Sequence, residues 1–171
     1  MVITPPEMES RRREQMTDPV LIIGASGFLG RTLLRSYPPG GEVWGTWHSR
    51  SKRPLPRLHS SPRDIFLDIT NPEQVEEVIG RINPGIILLS AALADIDRCE
   101  TDRHLALNTN VRGAENVVRC CRNRLLVYYS TNAVFDGFRE DCREEDQPRP
   151  INFYGETKWK AEAIIQNLPQ H

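Results

Sequence analysis

Val20-Leu21-Ile22-Ile23-Gly24-Ala25-Ser26-Gly27-Phe28-Leu29-Gly30 is the stretch that decides the fold. Four apolar residues in a row suit a strand buried on both faces of a parallel sheet. A glycine loop follows at once. Phe28 to Tyr37, apolar at Leu29, Leu33 and Leu34, then reads as a helix that Pro38 and Gly40 stop. Between a strand and a helix, the three glycines acquire physical roles. Gly24 permits the tight turn, Gly27 lets a pyrophosphate approach the backbone, and Gly30 lets the helix pack against the strand. The helix N-terminus offers free N–H groups and a partial positive charge to phosphates. The stretch therefore predicts a dinucleotide site that includes Gly24, Ser26, Gly27, Phe28, Leu29 and Gly30. Its spacing is G-x-x-G-x-x-G and it lacks the Lys and Ser/Thr of a P-loop, which argues against nucleoside triphosphate hydrolysis. The plain alternative is a glycine-rich turn with no ligand.

Working outward, strands and helices alternate. Glu42 to Trp47 reads as a second strand, His48 to Arg63 as a polar loop, and Ile65-Phe66-Leu67 as a third strand. Asn71 is placed to cap a helix, with Pro72 at its first position and Gln74 where a capping-box partner belongs. Val75, Val78, Ile79 and Ile82 give that helix one buried stripe, and Pro84-Gly85 ends it. Ile86-Ile87-Leu88-Leu89 reads as a fourth buried strand. Leu107, Val111, Ala114, Val118 and Cys121 form the seam of a further helix, and Leu125 to Tyr129 a fifth strand. A last helix runs from about Phe153 to Leu168, with Ala161, Ile164, Ile165 and Leu168 on one face. This alternation predicts an α/β fold, a Rossmann-type doubly wound parallel sheet with helices on both faces.

At 171 residues, 39% hydrophobic and 26% charged, the chain has the length and composition of one globular domain. The expectation is a disordered tail over residues 1–17 and one NAD(P)-binding domain over 18–171. A formal net charge of -1 supplies no positive field for nucleic acid. No apolar run approaches the ~20 residues of a membrane span. Cys99, Cys120, Cys121 and Cys142 form no C-x-x-C pair, and the expectation is reduced thiols in a cytoplasmic protein. His48, His59, His104 and His171 are scattered without ligand spacing, so no metal is expected.

The end of the second strand bears on the choice between NAD and NADP. A carboxylate there would bond the ribose 2′-hydroxyl and repel a 2′-phosphate. The chain instead has Trp47-His48-Ser49-Arg50. Arg50, helped by Ser49, His48 or Arg31, suits a 2′-phosphate, which favours NADP(H) and leaves NAD(H) open. The alternative makes Arg50 one charge of a solvated basic loop.

Tyr154-Gly155-Glu156-Thr157-Lys158 puts a tyrosine and a lysine on one helical face. A phenol normally titrates near pKa ~10. A nearby ammonium lowers that value and makes the pair a proton donor and acceptor for a carbon exchanging hydride with nicotinamide. Tyr128-Tyr129-Ser130-Thr131 brings hydroxyls to the carboxyl end of the fifth strand, the edge where open α/β sheets bind ligands. Thr131 there can hold a substrate oxygen toward Tyr154, or simply cap the following turn.

Taken together, G-A-S-G-F-L-G, L-D-I-T, A-A-L-A-D-I-D-R-C-E, N-T-N-V-R-G-A-E-N-V, Y-S-T-N-A-V-F-D-G and P-I-N-F-Y-G-E-T-K-W-K-A-E resemble the extended short-chain dehydrogenase/reductase superfamily. More narrowly they resemble the dTDP-4-dehydrorhamnose reductase group, which includes the regulatory beta subunit of methionine adenosyltransferase. The resemblance covers Val20 to Leu168. It implies that Asp68 and Ile69 lie against the adenine, that Ala91, Ala92 and Leu93 line the cofactor's path, and that Asn110 supports the site. It implies Ser130, Tyr154 and Lys158 at the nicotinamide end, with Thr131, Tyr154 and Lys158 as the catalytic triad. The chain departs from the family in having Asn132-Ala133 where Asp-Tyr is frequent, and in ending at His171, before the family's smaller substrate-binding domain. The fifth strand is accordingly expected to form an uncovered edge that favours a homo-oligomer or a partner chain.

Three readings follow. One is an NADP(H)-dependent reductase of a 4-keto sugar nucleotide with Tyr154 as proton donor. Another is a non-catalytic dinucleotide-binding regulatory subunit. The last is a cofactor-free structural fragment.

Overall fold

Leu21, Ile22 and Ile23 are wholly buried because β1, Val20–Ile23, lies in the middle of a parallel sheet. The computed structural model describes residues 18–38, 41–48 and 63–167. After β1 come α1 (Phe28–Ser36), β2 (Val43–Trp47), β3 (Arg63–Phe66), α2 (Pro72–Ile82) and β4 (Ile86–Leu89). Next are α3 (Ile96–Thr101), α4 (Arg103–Ala106), a π-helical turn (Leu107–Arg112) and α5 (Gly113–Arg119). β5 (Leu125–Tyr128), a 3-10 turn (Asn132–Val134) and α6 (Phe153–Gln166) complete the order. Residues 1–17, Ser49, Arg50 and Leu168 lie outside the described residues, so the expectations made for them are neither met nor missed.

The sheet order is β3-β2-β1-β4-β5, every pair parallel. The chain builds outward from β1 to β3, then crosses back to place β4 on the other side of β1. This reversal opens a crevice at the carboxyl ends of β1 and β4, where doubly wound sheets bind ligands. Pairing Ile23 with Leu89 brings the glycine loop and the Ser90-Ala91-Ala92 segment to its two walls.

Alternate residues of β1 serve the two faces. Leu21 and Ile23 pack with Val75, Val78, Ile79 and Ile82 of α2 and with Ala114 and Val117 of α5. Val20 and Ile22 pack with Leu34 of α1. The second face is thinner: Ile86 and Leu88 of β4 are only half-buried on it, although the sequence reads as a strand buried on both faces. Among the described residues α1 is the helix that covers this face. β5 is the sheet edge, and Leu125 at its start is 59% exposed.

The α2 cap forms in part as expected. Asn71 Oδ1 accepts from the Gln74 amide at 2.9 Å. The Gln74 side chain, however, accepts from the Asp68 amide at 3.1 Å and not from Asn71, whose own amide is already bonded to the Asp68 carbonyl. The predicted seam of the following helix shifts as well. Ala114, Val118 and Cys121 are buried as expected, but at the start of the seam the buried positions are Ala106, Asn110 and Gly113, while Leu107 and Val111 are half-buried. The π turn inserts one residue into the helical repeat and rotates Asn110 inward.

Candidate functional site

Gly24 ends β1 with φ +92°, and its amide donates to Thr46 Oγ1 of β2 at 3.0 Å. A Cβ at Gly24 would stand 2.6 Å from the Ala91 nitrogen, so the glycine lets the two walls of the crevice touch. Gly27 is the N-cap of α1, in an extended conformation with no side-chain cap and no acidic residue in the first turn. The first-turn amides of α1 therefore keep their partial positive charge for an anion from outside the helix.

A cleft of ≈ 220 Å³ opens in front of this loop. Of the residues expected to bind a cofactor, Gly24, Ser26, Gly27, His48, Asp68, Ile69, Ala91 and Ala92 line it. Phe28 and Leu29 do not: their side chains are 93% and 38% exposed and face outward from the first turn of α1. Their contribution to a ligand is limited to backbone. Gly30 is buried behind the loop, against Gly24 and Ala25, and takes no part in the lining. Thr46, Thr70, Ser90 and Thr109 also line the cleft, and sequence reasoning missed them. Thr46 and Ser90 follow from the parallel pairing, since each stands at a strand end beside Ile23 or Gly24.

The far wall carries a carboxylate. Asp68 Oδ1 accepts from both the Thr70 hydroxyl, at 2.7 Å, and its amide, at 2.9 Å, while Oδ2 lies 3.4 Å from His48 Nε2. Burial works to raise the Asp68 pKa. The Thr70 hydrogen bonds and His48 outweigh it and hold the carboxyl below its ordinary range.

Leu93 does not line the cleft but is held behind it. Its amide donates to Asn110 Oδ1 at 2.7 Å, and its carbonyl accepts from Asn110 Nδ2 at 3.1 Å. Asn110 is 3% exposed, and its remaining amide hydrogen goes to Thr157 Oγ1 at 2.9 Å. Thr157 in turn donates to the Tyr154 carbonyl at 2.7 Å. One buried side chain thus joins the cofactor-side wall to the helix carrying Tyr154 and Lys158.

Thr131, Tyr154 and Lys158 come together beyond the carboxyl end of β5. The Thr131 hydroxyl caps the 3-10 turn by accepting from the Ala133 amide at 3.2 Å, so the plain expectation for it holds, and it donates to Asn132 Oδ1 at 3.5 Å. Asn152 caps α6 through the Gly155 amide at 2.8 Å, and Glu100 of α3 accepts from the Phe153 amide at 2.6 Å. α3 itself was not expected; Asp95, which caps it through the Arg98 amide, was the available signal. Gly155 lies so close to the Ala133 carbonyl oxygen that a Cβ there would stand 2.1 Å away, which seats the start of α6 on the Thr131 loop.

The electrostatics depart from the expected pairing. Burial pushes the Tyr154 phenol up, against the opposing influence of the nearby Thr131 hydroxyl, with Cys99 adding to the rise. The Lys158 ammonium is turned elsewhere: Nζ donates to the Tyr129 carbonyl at 2.6 Å and stands 4.0 Å from the centroid of the Tyr128 ring. Burial pushes Lys158 down to about 8, with Glu162 opposing. Ser130, expected at the nicotinamide end, gives its hydroxyl to Glu162. Among the described residues no group of three or more His, Cys, Asp or Glu side chains is placed to hold a metal, and no helix is long and apolar enough to cross a membrane.

Comparison with known proteins agrees with the fold. A family model described as the RmlD substrate binding domain matches residues 16–171. The beta subunit of methionine adenosyltransferase 2 from Xenopus laevis is 32% identical over 86% of this chain and 42% of its own length. The dTDP-4-dehydrorhamnose reductase of Salmonella typhimurium is 30% identical over 89% of this chain and 48% of its own. Among solved structures, a dTDP-4-dehydrorhamnose reductase from Bacillus anthracis str. Ames in complex with NADP superposes with a TM-score of 0.75 at 33% identity, covering 91% of this chain and 51% of that one. The chain spans about half the length of the curated relatives it matches.

Proposed function

The chain belongs to the RmlD substrate binding domain family, and on that premise we propose that it binds NADP(H) and serves reduction of a 4-keto sugar nucleotide, with Tyr154 as proton donor. The observation that carries this reading is the placement of Tyr154 one helical turn before buried Lys158 on α6, whose start is seated on the Thr131 loop, at the sheet edge that also carries the glycine loop. The cleft suits the adenosine and pyrophosphate part of a dinucleotide, whose nicotinamide end would lie beyond it toward Tyr154. An uncapped α1 N-terminus faces the pyrophosphate position, Asp68 and Ile69 take the adenine end, and Ala91 and Ala92 line the path inward. NADP(H) is favoured because the end of β2 bears His48 in place of a carboxylate, with NAD(H) also accommodated; Ser49 and Arg50 are the next residues to test. The bound reduced nicotinamide supplies hydride to the carbonyl carbon.

The protein's own part is to hold the carbonyl and deliver a proton. Thr131 donates to the substrate oxygen and points it at Tyr154. A phenol pushed up by burial is protonated at neutral pH, as a donor must be. Lys158 places a positive charge beside the oxygen that becomes an alkoxide. Residues 18–171 act here as the dinucleotide-binding domain. The exposed β5 edge suits a second copy or a partner chain, and the family's chemistry suits the cytoplasm.

Calorimetric titration with NADPH and NADH tests the cofactor reading, with Gly27→Trp as the blocked control. NADPH binding abolished by Gly27→Trp supports it; absence of binding by the unaltered chain defeats it. A second reading, a non-catalytic regulatory subunit, draws on the likeness to the methionine adenosyltransferase beta subunit. Turnover of a dTDP-4-keto sugar separates the two.

A further inference from the structure

Lys158 is 3% exposed, and the groups around its ammonium are few. β5 and the residues after it present the Tyr128 ring, the Tyr129 carbonyl and the Ser130 hydroxyl. α6 itself presents Tyr154 one turn before and Glu162 one turn after. α3, packed against the start of α6, directs Cys99 toward Tyr154 and Glu100 to the Phe153 amide. Glu162 stands four residues after Lys158 on the same face of α6, where its charge favours the ammonium form. Glu162 is also fixed in place, because its carboxylate accepts from the Ser130 hydroxyl across the gap between α6 and β5. A buried ammonium with a carbonyl and a ring face for neighbours loses most of its hydration, and only an anion restores much of that loss.

We propose that Glu162 is a positioning residue of the site: tethered by Ser130, it holds the buried Lys158 side chain in its charged form, one helical turn from Tyr154. The inference rests on the reading of Lys158 as the cation of the nicotinamide end. It adds to that reading the residue on which the lysine's charge depends. Without Glu162, burial acts on Lys158 unopposed, and the side chain becomes neutral at a pH where the site needs it charged.

The chain has three lysines, Lys52, Lys158 and Lys160, so Lys158 can be followed by carbon NMR of lysine-labelled protein and assigned by loss of its signal in Lys158→Met. Glu162→Gln keeps an acceptor for Ser130 and removes only the charge. The expected result is a Lys158 midpoint lower by roughly one pH unit than in the unaltered chain. An unchanged midpoint overturns the proposal, since a purely structural Glu162 would alter stability and leave the lysine's titration alone. Ser130→Ala, which keeps the carboxylate but frees it, serves as the second variant should Glu162→Gln unfold. It is expected to lower the midpoint by a smaller amount, and no change there also overturns the proposal. The titration needs neither cofactor nor substrate. Its failure is therefore distinct from a failure of NADPH to bind.

Discussion

A Cβ on Gly30 would stand 2.2 Å from the carbonyl oxygen of Gly24, so the first turn of α1 is in backbone contact with the end of β1. Both neighbours are main chain, and neither can swing aside. Gly30→Ala must push α1 off the sheet, moving the amides that face the cleft. We expect a loss of on the order of 1–3 kcal/mol in urea unfolding, accompanied by weaker NADPH binding. Gly80→Ala is the contrasting case. Gly80 is an exposed position inside α2 with nothing within 4 Å of its Cβ site, and the same substitution there is expected to stabilise by ~0.5–1 kcal/mol.

The contrast also marks what was legible in the sequence. The glycine loop could be read because its cause is local: a backbone turn, a close approach and a helix start within seven residues. The five strands and the parallel order followed from apolar runs separated by helical patterns. Asn110, by contrast, had no local signature as a bridge, because the π turn that rotates it inward breaks the heptad spacing on which the seam rested. Thr70 and Thr109 reach the cleft through packing between elements distant in sequence. The direction of the Lys158 side chain was illegible for the same reason. Spacing puts it on the face of Tyr154, yet the Tyr129 carbonyl and the Tyr128 ring decide where the ammonium goes.

Asn110→Ala tests the bridge. It leaves the Leu93 amide without its acceptor, leaves the Leu93 carbonyl only the Cys99 thiol, and removes the donor to the Thr157 hydroxyl. Each buried group so abandoned costs ~1–3 kcal/mol unless water reaches it. Urea unfolding is expected to register a loss of at least ~2 kcal/mol. NADPH affinity should fall as well, because Leu93 continues from the Ala91-Ala92 wall. Lost stability with unchanged NADPH affinity would assign Asn110 to the scaffold alone.

His48→Asp tests cofactor choice. His48 lies at the end of β2 on the cleft, paired with Asp68. A carboxylate at that position hydrogen-bonds a ribose 2′-hydroxyl and repels a 2′-phosphate. Calorimetry should show NADPH affinity falling about tenfold, an effect of ~1.4 kcal/mol, while NADH affinity is held or improved. An equal loss for both cofactors would mean that the substitution disturbs the Asp68 wall and does not select between them.

Lys158→Met tests the cost of the buried ammonium through pH. The folded state holds this group at about 8, against an ordinary value of 10.5, with burial as the principal cause. Between those two values the unfolded chain carries the proton and the folded chain does not, so the lysine makes stability rise with pH across that window. Below about pH 8 both states are protonated, and the full penalty of burying the charge is in force. Met fills similar volume without that penalty. The variant is therefore expected to be the more stable protein at pH 7, with its advantage shrinking steadily from about pH 8 toward pH 10.5. Paired urea titrations at pH 7, 9 and 10.5 give the difference directly, and every other titrating group common to both chains cancels from it. An advantage constant across this range would mean that Lys158 titrates alike in the folded and unfolded chains and that its burial carries no electrostatic cost.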